Sequence, residues 1–334
     1  MARKVKWGIL STAKIGVEKV IPAMQKGTFS EVVAIASRDA ERAQSTADRL
    51  GIPRAFGSYQ ELLGDPEVEA VYNPLPNHLH VPWSIRAAKA GKHVLCEKPV
   101  GLSSEDAREL IRARDRTGVK IQEAFMVRTH PQWLGAVRRI RDGLIGQLTA
   151  IQYVFSYFNR DPDNIRNRFD IGGGGGLMDI GCYPITTSRL VFGEEPRRVI
   201  GLIERDPEMK IDRLTSAILD YPSGQASFLC STQMVGYQRA HFFGTEGRLE
   251  IENPFNAPND RPCRVFLDGG DPFGGNLQTI EFETCDQYTI QGDRFSKAIL
   301  EDSEVPTPLE DALKNMRVIE AIFRSAETGR WEEP

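Results

Sequence analysis

Strand-like and helix-like segments alternate over the first 122 residues, and that alternation limits the fold more than any other feature of the chain. Short apolar runs at Val5–Leu10, 31–36, Arg54–Phe56, Ala70–Asn73, His93–Cys96 and 119–122 read as strands. Between the first two, 14–26 shows helical spacing through Ile15, Val20 and Met24, and 39–50 reads as a helix opened by Asp39. Ser58 would cap a helix over 58–63, with Glu61 at its third position. Segments 79–90 and 103–117 complete the set, the latter with Ser103 and Asp106 as an N-terminal signature. Strands alternating with helices of this length predict βαβ units and a parallel sheet covered on both faces.

The second half reads differently. A helix over 132–142 is followed by strand-like runs at Leu148–Phe158, 197–203, 215–220, 225–232, 239–243 and Arg248–Ile251. Tyr221-Pro222-Ser223-Gly224 and Gly244-Thr245-Glu246-Gly247 supply turns between them. Two helices close the chain, at 289–300 and 308–328, the second with Leu309, Leu313, Met316, Ile319 and Phe323 on one face. The expected fold class is an α/β domain followed by an α+β domain with a mostly antiparallel sheet, the boundary falling within 122–130.

A chain of 334 residues is long enough for two such cores. With 42 Lys and Arg against 46 Asp and Glu, the net charge of −4 draws neither nucleic acid nor an anionic membrane. No apolar run approaches the ~20 residues of a membrane helix. The run after Arg3 and Lys4 is too short for a signal-peptide core and is broken by Lys6. Cysteines 96, 182, 230, 263 and 285 form no Cys-x-x-Cys pair, and His78 and His80 are poorly spaced for joint ligation from a helix. No disulfide framework or metal site is expected, and the cytoplasm is the expected compartment.

The turn after the first strand is Ser11-Thr12-Ala13-Lys14-Ile15-Gly16. A dinucleotide fold needs backbone N–H groups close to a pyrophosphate here, through Gly-x-Gly-x-x-Gly. Only the last glycine is present, although Ser11 and Ala13 are small, so an ordinary βα turn and a phosphate loop both remain open. At the end of the second strand an NAD site places a carboxylate on the ribose. This chain has Ser37-Arg38 instead, a hydroxyl and a guanidinium suited to a 2′-phosphate, which favours NADP over a solvated surface arginine.

Two more segments lie where parallel strands end, the position at which ligands collect in open α/β sheets. One runs from Tyr72 through Pro74, Leu75, Pro76 and Asn77 to His80; Asn77 could cap the next helix, touch the cofactor, or both. The other is Cys96-Glu97-Lys98-Pro99, where Lys98 is either a solvated lysine or a group held for catalysis. In the second half, five glycines (172–176) lead into a helical pattern with Asp179 and Tyr183 at i, i+4. A phenol near a lysine can pass a proton to or from a carbinol oxygen. Equally, Asp179 suits a helix first turn and Tyr183 a core aromatic with a wet tip. The segment alone does not choose.

Taken in order, these pieces resemble the Gfo/Idh/MocA family (glucose–fructose oxidoreductase, inositol dehydrogenase, rhizopine catabolism) over essentially the full length. The matching segments are 8–15, 36–38, 76–80, 97–99, 123–131, 179–183 and 243–247. The resemblance implies a Rossmann domain over 1–124 and a substrate-binding and oligomerisation domain over 125–334, whose open-faced sheet builds homodimers or higher oligomers. It implies that Lys98 belongs to the Glu-Lys-Pro active-site motif, whose Lys–Pro bond is often cis, and that Asp179 matches the acid that orients substrate. Tyr183 stands where inositol-dehydrogenase-like members carry histidine. It resembles the branch with glucose–fructose oxidoreductase, xylose dehydrogenase, dimeric dihydrodiol dehydrogenase and sugar 3-ketoreductases, as does Ser37-Arg38. Ser11 and Ala13 depart from the family's glycines.

The reading that follows is hydride transfer between NADP(H) and an aldose or related sugar. Tyr183 would carry the proton, Lys98 would tune and orient it, and Asp179 would hold a substrate hydroxyl. The cofactor would lie on Ser11, Thr12, Ala13, Lys14 and Ile15, with Ser37 and Arg38 at its 2′-phosphate. Leu75, Pro76, Asn77, His80, Glu97 and Lys98 would contribute from the next strand ends. Met126 and Arg128 would add to them from the matching 123–131 segment. Arg128, Arg166 and His130, with Asn164, are further candidates for lining the sugar site. Reduction of a ketosugar in deoxysugar synthesis, or oxidation of an aromatic trans-dihydrodiol, would use the same residues. A non-catalytic NADP-binding regulator would be expected to have lost Lys98 or Tyr183, and both are present.

Overall fold

The computed structural model describes residues 3–171 and 173–334; Met1, Ala2 and Gly172 of the glycine run lie outside the described residues. The chain forms two compact units, Met1–Thr129 with Asp286–Leu313, and His130–Cys285 with Lys314–Pro334.

The first unit is built on six parallel strands: β1 (Val5–Leu10), β2 (Ser30–Ala36), β3 (Arg54–Phe56), β4 (Ala70–Asn73), β5 (His93–Cys96) and β6 (Ile121–Glu123). Their order is β3-β2-β1-β4-β5-β6, so the winding reverses between β1 and β4, the position at which ligands collect in open α/β sheets. Strand residues such as Trp7, Ile9, Ile35, Tyr72 and Leu95 are fully buried, as a sheet covered on both faces requires. The expected caps hold: Asp39 accepts from Arg42 N–H ahead of α2 (Ala40–Leu50), Ser58 from Glu61 N–H ahead of α3 (Tyr59–Gly64). Ser103 accepts from Asp106 N–H ahead of α5 (Ser104–Thr117). Each satisfies a backbone donor that the first turn leaves unpaired.

Two helices differ from expectation. The one expected over 14–26 contains a π-helical turn at Gly16–Val20 and ends as α1 (Ile21–Met24). Pro22 lacks the N–H for a regular i→i−4 bond, and the turn before it widens. Helix α4 (Asn77–Lys89) starts at Asn77, with Pro76 at the cap, so Asn77 is its first residue and not its cap. A late segment joins this unit as α8 (Gln287–Leu300). Its Phe295 enters the core against Trp7 (5.7 Å between rings), and Ser296 accepts the Trp7 indole N–H at 3.0 Å. Its Asp293 takes the N–H groups of Thr28 and Phe29 at 2.7 and 2.9 Å.

The second unit carries α6 (Pro131–Arg141), α7 (Cys182–Phe192) and an eight-stranded sheet. Its strands are β7 (Leu148–Phe158), β8 (Arg198–Arg205), β9 (Asp212–Tyr221), β10 (Gly224–Ser231), β11 (Gln233–Gly244), β12 (Arg248–Ile251), β13 (Cys263–Asp268) and β14 (Gln278–Phe282). They are ordered β14-β13-β12-β11-β7-β10-β9-β8, antiparallel except for the β7–β10 pair. Strands β13 and β14 extend the ladder beyond the six runs expected. One face carries buried Ile151, Tyr153, Phe155, Phe228 and Phe242, with Phe255 stacked on Phe155 at 4.7 Å. Residues on the other face alternate with these, and Leu202 and Ile218 there are exposed. The C-terminal α9 (Leu309–Thr328) supplies Ser325, whose hydroxyl accepts from Gly201 N–H at 3.0 Å.

Candidate functional site

The turn after β1 makes its bend without the expected glycine. Ser11 has φ +99°, a conformation natural to glycine, and its hydroxyl accepts from Ala13 N–H at 3.2 Å. Its own N–H is tied to Ala36 O of β2 at 2.9 Å. Thr12 is buried, while Ala13, Lys14 and Ile15 lead into the π-helical turn. The bend that a glycine would ordinarily make is therefore made by a serine and held by its hydroxyl.

At the end of β2, Ser37 is buried and its hydroxyl accepts from Asp39 N–H at 3.2 Å. Arg38 is exposed and hydrogen-bonds the Tyr59 phenol. Burial pushes the Tyr59 hydroxyl above its ordinary range, and Arg38 and Arg42 oppose that shift. Two guanidinium groups thus act on one phenol beside the end of β2.

The next two strand ends are joined by His80. Its ring lies between the carbonyls of Pro99 (2.8 Å) and Leu75 (2.6 Å), tying the loop of Leu75, Pro76 and Asn77 to the Lys98–Pro99 segment. Burial drives His80 down to about 4, against the pull of those carbonyls. His80 is therefore a tether for the loop. Asn73 reinforces it, donating to His80 O and to the Ser84 hydroxyl, both at 3.0 Å.

Lys98 follows β5, half-buried, with a cis bond to Pro99. Glu97 accepts from the Tyr72 phenol at 2.7 Å and from Lys98 N–H at 3.2 Å. Burial pushes both Tyr72 and Tyr288 up; Glu97 adds to each shift, and Lys98 opposes that of Tyr288. Tyr288 of α8 is thus a neighbour of Glu97 and Lys98 that sequence reasoning missed, since nothing local marks a residue 190 positions on as their partner. Gln291, four residues beyond Gln287 and three beyond Tyr288 on α8, accepts from the Phe125 and Met126 N–H groups at 3.2 Å each when its amide oxygen is turned to them. Met126 is buried in the short turn Met126–Thr129, and Arg128 pairs with Asp311 at 3.6 Å.

In the second unit glycines 173–176 form a packed turn. Gly173 and Gly175 have φ +73° and +95°, and Gly175 lies against the Asp212 carboxylate, so it is not a flexible linker. It leads to a second π-helical turn, Leu177–Gly181, again followed by a proline, Pro184, at the start of α7. Asp179, only 8% exposed, accepts from Arg166 Nε at 2.7 Å and from the Tyr157 phenol at 2.6 Å. Arg166, named from sequence only as a lining residue of the sugar site, is brought to Asp179; Tyr157 was missed because on strand β7 it reads as one more sheet aromatic. Asn164 accepts from Arg166 N–H and caps the turn that presents it. Tyr183 is buried, its ring against Phe155 and Phe255 at 5.8 and 5.4 Å.

His130, a candidate for lining the sugar site, lies at the start of α6. It is fully buried, caps α6 by accepting from Gln132 N–H at 3.2 Å, and faces the Cys285 thiol at 3.4 Å. Among the described residues no cluster of three or more His, Cys, Asp or Glu side chains could hold a metal ion, and no helix is long and apolar enough to cross a membrane.

The chain is similar to known proteins over nearly its whole length. An uncharacterised oxidoreductase of Rhizobium meliloti is 51% identical over 330 residues, 98% of each chain. A D-xylose 1-dehydrogenase (NADP+) of Haloferax volcanii is 38% identical over 328 residues, covering 97% of this chain and 98% of its own. A 3-ketoreductase from Actinomadura kijaniata, solved with NADP and TDP-benzene, superposes with a TM-score of 0.90 at 28% identity, over 97% of this chain and 98% of its own. Residues 5–125 match the oxidoreductase family with an NAD-binding Rossmann fold, and residues 133–250 match the GFO/IDH/MocA C-terminal domain. With both halves matched in order, the chain belongs to the Gfo/Idh/MocA family of oxidoreductases.

Proposed function

We propose that this protein is an NADP(H)-dependent oxidoreductase acting on a CH–OH or carbonyl carbon of a sugar, an aldose or a close relative. The observation that carries the reading is the Asp179 carboxylate, held between Tyr157 and Arg166 on the segment that leads to Tyr183. A buried, doubly anchored carboxylate is suited to accept from a substrate hydroxyl, and a phenol four residues on is suited to move a proton. NADP(H), when bound, supplies or takes the hydride. Arg38 and Ser37 would hold its 2′-phosphate, the turn at Ser11–Ile15 its pyrophosphate, and the tethered loop at Leu75–Asn77 the ribose beyond.

In this reading Tyr183 gives its phenolic proton to the forming alkoxide, or takes one from the alcohol in the reverse direction. Lys98, a cation, favours the phenolate and so lowers the barrier to that transfer. Asp179 orients the sugar, and Arg166 and Arg128 offer further donors to its hydroxyls. Cofactor binding is assigned to residues 1–124 and substrate binding and assembly to 125–334, in the cytoplasm. A second copy of the chain is assigned to the open sheet face that exposes Leu202 and Ile218. Reduction of a 3-ketosugar is the second reading, favoured by likeness to the NADP-bound 3-ketoreductase.

The test is a panel of aldoses, ketosugars and trans-dihydrodiols, assayed with NADP+ and NADPH by nicotinamide absorbance. Aldose turnover is expected. Tyr183→Phe and Lys98→Met should each lower it by ~10²–10⁴-fold while NADP binding survives. Near-normal turnover by Tyr183→Phe, with chemistry rate-limiting, would overturn the assignment. Turnover of dihydrodiols alone would move the protein to another substrate class.

A further inference from the structure

Asp212 is a carboxylate for which the reaction above has no use, yet its surroundings are closely built. It opens β9 and is 2% exposed. Its Oδ2 accepts from Leu177 N–H at 2.6 Å and lies 3.4 Å from the Thr215 hydroxyl. Gly175 approaches so closely that a Cβ there would stand 1.8 Å from Oδ1. Gly175 O in turn accepts from Asp179 N–H at 3.2 Å. An unbroken series of contacts therefore runs from Asp212 through Gly175 and Leu177 to Asp179, and the same turn continues into α7 at Cys182 and Tyr183.

We propose that Asp212 is a positioning residue for the reaction: its carboxylate holds the glycine turn and the first N–H of the π-helical turn where Asp179 and Tyr183 must stand. The proposal rests on the assignment of Asp179 and Tyr183 to the active site.

Chemistry explains why a carboxylate is used. The N–H groups of Leu177 and of Asp212 itself both point at it, and an ionised carboxylate only accepts. A protonated acid, or an amide, brings a donor hydrogen into a place lined by donors. The cost is desolvation: burial pushes Asp212 up to about 6, ahead of the opposing pull of those two N–H groups, Arg205 and Thr215. Arg205 faces it from β8 in register. Cys230 faces it from β10, with Cys182 and Asp179 beyond; burial and then Asp212 push the Cys230 thiol up, so it stays neutral. The sign follows. A carboxyl raised above its ordinary 3.8 costs the fold stability while ionised, and that stability is regained as pH falls from about 6 toward 3.8. Protonation thus stabilises the fold while weakening the anchor, and activity and stability move in opposite directions across one window.

The experiment compares the full-length enzyme with Asp212→Asn across about pH 5–8, the span that brackets this titration. Sugar kcat/KM, NADP affinity and melting temperature are followed together. In the unsubstituted enzyme kcat/KM should fall below about pH 6 with NADP affinity unchanged. Asp212→Asn should be lowered ~10–100-fold at every pH, as misplaced groups are, and should lack that acid limb. The melting-temperature difference, unsubstituted minus variant, should grow as pH falls. Hydrogen exchange of the 173–183 segment in the unsubstituted enzyme should lose protection below about pH 6, a readout that stands if the variant does not fold. An acid limb that survives in Asp212→Asn, or exchange protection independent of pH, overturns the proposal. Tyr183→Phe, assayed alongside, separates the two failures. If it keeps full turnover the site assignment falls; if it is inactive while Asp212→Asn keeps the limb, only the role of Asp212 falls.

Discussion

Removing one oxygen atom from Tyr157 is the sharpest energetic test of the candidate site. Tyr157→Phe deletes the 2.6 Å bond to Asp179, and a carboxylate that is 8% exposed has little water with which to replace it. A hydrogen bond to a charged group contributes ~1.5–3 kcal/mol, and this one lies in the short range of O–H···O⁻ contacts. The other partner, Arg166, carries a full charge, but its side chain is 41% exposed. Solvent screening limits such a pair to ~0.2–1 kcal/mol. The neutral phenol should therefore outweigh the guanidinium. Tyr157→Phe is expected to cost about 2 kcal/mol and Arg166→Met less than about 1 kcal/mol. Urea unfolding followed by far-UV circular dichroism measures both, with an unchanged m-value showing that stability alone has moved. The double variant reports their coupling through the shared carboxylate. If Arg166→Met costs as much as Tyr157→Phe, burial is not what sets the strength of this cluster, and the argument is wrong.

Three further outcomes are expected. Arg38→Ala should weaken NADP binding by about 1.5–3 kcal/mol, the range of a charge-assisted contact, and leave NAD binding nearly unchanged; equal affinity of the unsubstituted protein for both dinucleotides would refute this. Leu202, 76% exposed on the open sheet face, should tolerate a charge only in a monomer: Leu202→Glu is expected to lower the light-scattering mass to 37.4 kDa, and an unsubstituted protein already at that mass excludes the interface. His80, buried and held down to about 4, leaves the unfolded chain to bind a proton the fold rejects. The stability it contributes is complete above about 6.5 and is lost as pH falls toward 4, up to about 3 kcal/mol. His80→Gln should flatten that part of a urea-unfolding pH series, and an unaltered slope would show the ring is not buried neutral.

What was legible in the sequence, and what was not, divides along the distance over which each interaction acts. The parallel strands were legible because burial on both faces makes their apolar runs continuous, and Asp39, Ser58 and Ser103 mark their helices with a bond that spans three residues. Strands β13 and β14 were not. They lie at the sheet's end, where most residues remain partly exposed and apolar alternation fades. The two π-helical turns depend on prolines that act on the turn before them, a register effect that apolar spacing does not register. Membership of α8 in the first unit depends on Trp7 meeting Ser296, 289 residues away, which no local window contains. The site divides in the same way. Lys98, Asp179, Tyr183 and Arg166 could be named from residue type and motif. Tyr157, Tyr288 and Gln291 could not, because each matters through a distant partner.

Gln291 and Asp212, which escaped notice, share one physical trait with His80, which was named for the cofactor and not for the loop it ties, and that trait turns the failure into a method. Gln291, Asp212 and His80 are buried polar side chains whose partners are backbone groups of the segments that carry the candidate site. Burying such a group without a partner costs several kcal/mol by transfer measures, so each must meet a donor or acceptor that regular structure leaves over. Irregular backbone has such groups to spare: the turn at Phe125–Met126, glycines 173–176, and the short stretches at Leu75–Pro76 and Lys98–Pro99. Irregular backbone is also where this fold gathers its candidate chemistry, at strand ends and at the entry to α7. A buried polar residue with no role in the reaction is therefore a pointer to the loop it satisfies, and from there to the catalytic group that loop presents. Asp212 points to Asp179 and Tyr183, and His80 to Lys98, by the same reasoning.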